Sequence, residues 1–346
     1  MTIEQALFRL HEGLPRHAPG SEATTLKALR RLGRLPRRLR VIDLGCGSGA
    51  STLVLARRLK KPVVAVDAHQ PYLDELKAAA QAEGIAENVE TVHADFSTLG
   101  DSLGKFDLLW AEGAAYVLGF ERALSTWRGM LAGGGRVAVS ELSYLTESPS
   151  ETVKQYWSEV YPSISTIVGN CAAAERTGYT VIDTLVFSSK ATKAYFGPIK
   201  TRIAELRASG ETSPELAAVI GEMEHEIELY ERHADEVGYV FYLLEVPGSP
   251  KDDEAESAED DSTVESAEDD TDSEDETAAT EDPGLARSAR FPRRSFNLAI
   301  APTNAAIHQR YEDELVDAIA RLGIATAARV LAETEQRMAT LVRTGR

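Results

Sequence analysis

Residues 41–50, VIDLGCGSGA, constrain the fold more than any other stretch of the chain. A short apolar run carries one acid, Asp43, and passes into glycines at 45, 47 and 49. Glycine admits positive φ and removes the Cβ that would keep a ligand away from the backbone. An apolar run that ends in such glycines and continues into a helix-forming segment reads as strand, turn and helix. That unit belongs to folds in which strands and helices alternate.

The rest of the first 250 residues keeps that rhythm. Helices are expected over 3–14 and 22–33, the second capped by Ser21. Strands are expected at 39–44, 62–67, 89–95, 106–112 and 133–142, the last entered through a Gly133–Gly135 turn, with helices at 50–60, 71–83 and 120–131 between them. Helices at 150–160 and 170–177, a strand at 179–188, helices at 191–208 and 214–233 and a strand at 238–246 follow. The reading is an α/β, Rossmann-like, seven-stranded and mostly parallel sheet with a late antiparallel strand and helices on both faces, plus a C-terminal helical tail.

Charge divides the chain. The net charge of −18 is concentrated in residues 251–282, which hold 17 acids and one lysine. Residues 248–286, with ESAEDD twice, read as an acidic disordered linker. Residues 287–346 read as a basic helical tail with 10 arginines, able to serve a homo-oligomer or a protein partner. Residues 1–247 form the main domain, with 1–34 as its N-terminal helical lid. Their mild acidity speaks against a nucleic-acid partner. No run of 18 apolar residues calls for a membrane span. Two cysteines, Cys46 and Cys171, make neither a disulfide framework nor a metal site, and a cytoplasmic location is expected.

Two ligand classes suit the glycine turn. Gly45-x-Gly47-x-x-Ala50 formally fits the dinucleotide fingerprint of an NAD-dependent oxidoreductase. Asp43 opposes it, because a carboxylate at the strand end would repel a pyrophosphate. The same carboxylate suits S-adenosylmethionine, which carries an ammonium and a sulfonium and no phosphate. Asp67 ends the second strand, where an acid accepts hydrogen bonds from ribose hydroxyls of either cofactor. Asp95, followed by Phe96, ends the third strand, where a carboxylate can accept from an adenine amino group.

Five segments, VIDLGCGSG (41–49), VVAVD (63–67), HADF (93–96), FDLLWAEGA (106–114) and LAGGGRVAVSE (131–141), stand in the order and spacing of one family. The chain resembles the class I SAM-dependent methyltransferases over about residues 20–247. PGSEAT (19–24), WAEGAAYVLGFERAL (110–124) and YP (161–162) resemble a bacterial group of small-molecule methyltransferases of unassigned substrate. The resemblance implies a cofactor site built from Asp43, Gly45, Cys46, Gly47, Gly49, Asp67, Ala68, Asp95, Phe96 and Glu112. It implies transfer of a methyl group to an oxygen, nitrogen or carbon nucleophile of a small-molecule acceptor by in-line displacement. A nucleic-acid or glutamine acceptor would call for a Pro-Pro-aromatic motif where AEGA stands.

Such a displacement demands no fixed catalytic residue. Glu112, Tyr116 and Glu141 are candidates at the carboxyl ends of the strands. Glu112 fits a general base, a partner for a cationic amine, a cofactor contact, or a loop carboxylate bonded to backbone amides. Tyr116 fits a place over the substrate or core packing; Glu141 fits the pocket floor or a structural role. His17 fits a base near neutral pH or an exposed loop histidine. The long charged tail also fits a non-catalytic SAM-binding or assembly module.

Overall fold

A computed structural model describes residues 1–248 apart from Asp101 and Thr212. The acidic linker and basic tail expected beyond Gly248 lie outside the described residues. Along the chain run α1 (Ile3–His11), α2 (Glu22–Arg31), β1 (Val41–Leu44), α3 (Ala50–Leu59), β2 (Val63–Asp67), α4 (Gln70–Ala82), β3 (Val89–His93), β4 (Phe106–Ala111), α5 (Phe120–Trp127) and β5 (Leu131–Tyr144). There follow α6 (Glu151–Val160), β6 (Ser165–Thr166), α7 (Ile167–Arg176), β7 (Thr180–Val186), α8 (Ser189–Ala208), α9 (Pro214–Arg232) and β8 (Val237–Glu245).

The sheet has the order β3-β2-β1-β4-β5-β8-β7, with β6 paired beside the end of β5. β8 runs antiparallel to both its neighbours, and the remaining pairs are parallel. The seven expected strands are present, and two-residue β6 makes an eighth. It is too short to carry a hydrophobic period, so no sequence pattern marks it. Gly133–Gly135, expected as a turn, lie within β5, where the register with β4 shifts between Phe106 and Leu108. Gly134 supplies the positive φ of 75° that such a bulge needs. Its N–H donates to the Val246 carbonyl at 2.9 Å.

Alternate strand residues face opposite helical layers, as a buried parallel sheet requires. Val41, Val63, Leu108, Trp110 and Ala138 pack with Ala28 and Leu29 of α2 and Leu55 of α3. Ile42, Leu44, Val66, Leu109 and Val139 pack with Leu124 and Trp127 of α5 and Ala173 of α7. A third cluster joins Leu7 and Leu10 of α1, Trp157 of α6, Ile199 of α8 and Ile220 of α9 to Leu142 of β5 and Val237 of β8. These four helices therefore form a layer over the carboxyl end of β5. Among the described residues no helix is long and apolar enough to cross a membrane.

Side-chain caps fix where the helices begin. Ser21 Oγ accepts from Thr24 N at 3.1 Å, and Ser213 Oγ accepts from Leu216 N at 3.0 Å ahead of Pro214. α3 instead starts at Gly49, whose φ of 90° takes the chain from β1 into the helix. A Cβ added there would overlap the Leu76 side chain of α4 and lie 2.9 Å from its Cγ. Gly49→Ala should therefore lower the stability of unfolding by about 1–3 kcal/mol, read from denaturant midpoints. A midpoint equal to that of the wild type would contradict this packing.

Candidate functional site

The glycine turn is tied to the end of β2. The N–H groups of Gly45 and Cys46 both donate to the Val66 carbonyl, at 2.9 and 3.0 Å. Gly47 N donates to Asp67 Oδ2 at 2.9 Å, and His69 N donates to Asp67 Oδ1 at 2.8 Å. A Cβ on Gly45 would stand 2.6 Å from the Ala114 Cβ and 3.3 Å from Phe96 Cε1, so the turn lies directly against the loop after β4. Phe96 is buried behind it, edge-on to Trp127 at 5.9 Å.

Glu112, the residue after β4, is buried and answered from four places. Its Oε1 pairs with the Arg16 guanidinium. Its Oε2 accepts from Thr25 Oγ1 and Ser51 Oγ at 3.1 Å each and from Trp110 Nε1 at 3.2 Å. These donors come from the segment before α2, from α2, from α3 and from β4. No sequence signal marks Arg16, which lies 96 residues from its partner. Thr25 and Ser51 were also not legible, because neither stands out locally.

Asp43 lies beneath the turn with its Oδ2 accepting from Thr52 Oγ1 at 2.6 Å. Burial chiefly, with the Glu112 and Asp67 charges adding to it, pushes its carboxyl up to about 7. The first turn of α3 thus presents two hydroxyls, Ser51 and Thr52, each engaged by a carboxylate.

Arg16, His17 and Ala18 cross the mouth of the turn. With Gly45, Cys46, Gly47, Asp67, Glu112 and Tyr116 they enclose a cleft of about 60 Å³. His17 is neutral rather than an exposed base. Burial, helped by His11 and His69, lowers its pKa to about 3, and its Nδ1 is buried without a hydrogen-bond partner among the described residues. Asp95 is exposed, its Oδ1 accepting from Ser97 N at 2.7 Å. The Ala68 carbonyl accepts from His93 Nε2 at 2.8 Å. Asp95, Phe96 and Ala68 lie outside the lining of the cleft, and Gly49 lies at the start of α3. Glu141 sits on β5 near the four-helix layer, its Oε1 accepting from Leu142 N at 3.0 Å. Cys46 and Cys171 are free thiols. Among the described residues no group of three or more His, Cys, Asp or Glu is placed to hold a metal ion.

The raised Asp43 has a signed consequence. A carboxyl whose folded pKa lies above its ordinary value of 3.8 contributes fully below that value and loses its contribution as pH climbs through about 7. Asp43→Asn keeps the Thr52 bond and removes the ionisation. Its stability relative to wild type should rise by more than about 1 kcal/mol between pH 4 and pH 8, followed by urea unfolding. A difference that stays constant with pH would contradict the assignment.

Comparison with known proteins agrees with this architecture. Residues 41–135 match a family model described as a methyltransferase domain. A SAM-dependent methyltransferase from Thiobacillus denitrificans, solved with S-adenosylhomocysteine, is similar at a TM-score of 0.61 and 20% identity over 70% of this chain and 99% of its own. One from Geobacter sulfurreducens, also with S-adenosylhomocysteine, is similar at 0.59 and 21% over 69% and 97%. A cyclopropane synthase from Mycobacterium tuberculosis is similar at 0.55 and 13% over 69% and 93%. Over residues 41–135 the chain is thus similar to methyltransferase domains, and its described residues have the Rossmann-like fold seen in the class I SAM-dependent methyltransferases.

Proposed function

We propose that the cleft at the glycine turn binds S-adenosylmethionine and that the protein transfers its methyl group to a small molecule. The observation that carries this reading is the pair of carboxylates at the start of α3. A dinucleotide fold seats its pyrophosphate at that helix N-terminus. Here Glu112 and Asp43 hold Ser51 and Thr52, so an incoming phosphate would meet carboxylates. A cation is welcome in the same place and would offset the burial that chiefly keeps Asp43 protonated.

The residues fit the proposed cofactor. The turn is bare of Cβ atoms where a Cβ on Gly45 or Gly47 would stand against Ala114 or His17. Arg16 and Glu112 offer one cation and one anion side by side, the complement of an amino-acid end with its carboxylate and ammonium. Asp67 stands at the end of β2 with two oxygens available to share between the turn and ribose hydroxyls. Ala68, Asp95 and Phe96 flank the next loop and would edge the adenine.

When bound, S-adenosylmethionine supplies a methyl carbon already activated by its sulfonium. The protein then has to hold an acceptor in line and keep water away. Tyr116 lines the cleft on the side of the four-helix layer and would border the acceptor. The segment around Arg16–Ala18 fills much of the cleft, whose 60 Å³ is far below the roughly 300 Å³ of a typical small-molecule site. Within the N-terminal lid of residues 1–34, the segment Arg16–Ala18 would withdraw for entry and close afterwards, while α1 and α2 stay packed. The acceptor offers an oxygen, nitrogen or carbon nucleophile.

Calorimetric titration tests the reading. S-adenosylhomocysteine should bind and NADH should not. Asp67→Asn should weaken S-adenosylhomocysteine by roughly tenfold or more, the loss of a hydrogen bond to a charged acceptor. Binding of NADH without binding of S-adenosylhomocysteine would end the methyl-transfer reading.

A further inference from the structure

The layer made by α1, α6, α8 and α9 is apolar in bulk, yet it leaves five polar atoms unanswered. Glu141 Oε2, the hydroxyls of Tyr156, Tyr161 and Tyr230 and the indole N–H of Trp157 are buried with no hydrogen-bond partner among the described residues. Glu141 is 2% exposed, Trp157 0% and Tyr230 4%. Folded proteins seldom leave such atoms unpaired, since each costs about 1–3 kcal/mol.

These groups form one neighbourhood. Tyr156 meets Trp157 edge-on at 4.9 Å, and Trp157 meets Tyr230 edge-on at 5.7 Å. The charge of Glu141 bears on Tyr161 and Tyr230, and that of Glu226 on Tyr156 and Tyr230. The Tyr161 hydroxyl interacts with Glu141 and Ser163 without closing a hydrogen bond of good geometry to either. Tyr116 packs against the layer and also lines the cleft, so the two sites adjoin.

We propose that this layer is the acceptor site and that its acceptor is a small amine that also carries an oxygen. The inference rests on the reading of the cleft as a methyl-donor site. Glu141 and Glu226, the acids that bear on these rings, give an anionic acceptor no counter-charge. Aromatic faces beside them attract an ammonium. Glu141 Oε2 and the tyrosine oxygens accept from amine hydrogens, while the Trp157 N–H, a donor only, calls for an oxygen on the same molecule. Burial pushes the Glu141 carboxyl up to about 8; an ammonium beside it favours the ionised form, which can then take a proton from that amine. In the transfer, the ammonium gives its proton to Glu141. The freed nitrogen lone pair forms the new N–C bond as the C–S bond breaks, and the C–S pair stays on sulfur. The positive charge passes from the sulfonium to the product ammonium, and the proton leaves Glu141 for water.

The protein, with and without saturating S-adenosylhomocysteine, is titrated calorimetrically with ethanolamine and with its neutral isostere 1-propanol. Ethanolamine should bind at least roughly tenfold more tightly. Glu141→Gln should erase that preference while its own S-adenosylhomocysteine titration stays as in wild type. Should that variant lose its cooperative melt, Tyr161→Phe takes its place, with a smaller loss in the same direction. Equal binding of the two probes, binding of neither, or an unchanged preference in the folded variant would overturn the proposal. Failure of S-adenosylhomocysteine to bind counts against the donor site instead, and is distinguishable because ethanolamine is also titrated in its absence.

Discussion

The buried carboxylate of Glu112 is the point on which the site depends. It binds the segment before α2, α2 itself, the first turn of α3 and the indole of β4's Trp110. A buried charge is tolerable only when a partner and further hydrogen bonds replace its water. Glu112 has both, and the result fixes three elements around the glycine turn. Among the described residues its ionic partner is Arg16, which is carried by a segment between two helices rather than by the sheet.

That placement links stability to binding. The sheet and its two helical faces are closed by alternating apolar residues and leave the carboxyl ends of β1, β2, β4 and β5 to chemistry. Polar groups that satisfy one another without ligand, as Arg16 and Glu112 do, must be separated for a charged guest to enter. The guest then has to supply both a cation and an anion, or one of the two is left unpaired at a cost of a few kcal/mol. On the proposed reading the cleft would therefore select by charge pattern as well as by shape.

Most of the framework was legible because its signals are local. Strand periodicity, the glycines and the caps Ser21 and Ser213 sit within a few residues of what they specify. The reversed strand β8 was legible through its apolar run. The Gly133–Gly135 stretch was misread as a turn, because a bulge and a turn ask for the same residues and only the pairing of β5 with β4 and β8 decides between them. The helix ends at His11 and Arg31 fall short of 14 and 33, since fraying carries little sequence signal. In the site, Asp67 and the glycines were legible from spacing. Arg16, Thr25, Ser51 and Thr52 were not, because their meaning comes only from a buried acid that the fold brings to them. His17 looked exposed in a short polar loop, whereas packing against Tyr72 at 4.3 Å leaves it half-buried with its Nδ1 covered. The unpaired groups around Glu141 are likewise a property of helix packing.

The central claim is that the rim of the sheet is a zwitterion-binding, phosphate-free nucleoside site. A crystal structure with sinefungin, an amine-bearing analogue of the methyl donor, tests it most directly. The account predicts the amino-acid ammonium on Glu112, the carboxylate on a displaced Arg16 and the ribose on Asp67. An intact Arg16–Glu112 pair, with the ligand bound elsewhere or absent at saturating concentration, would contradict it.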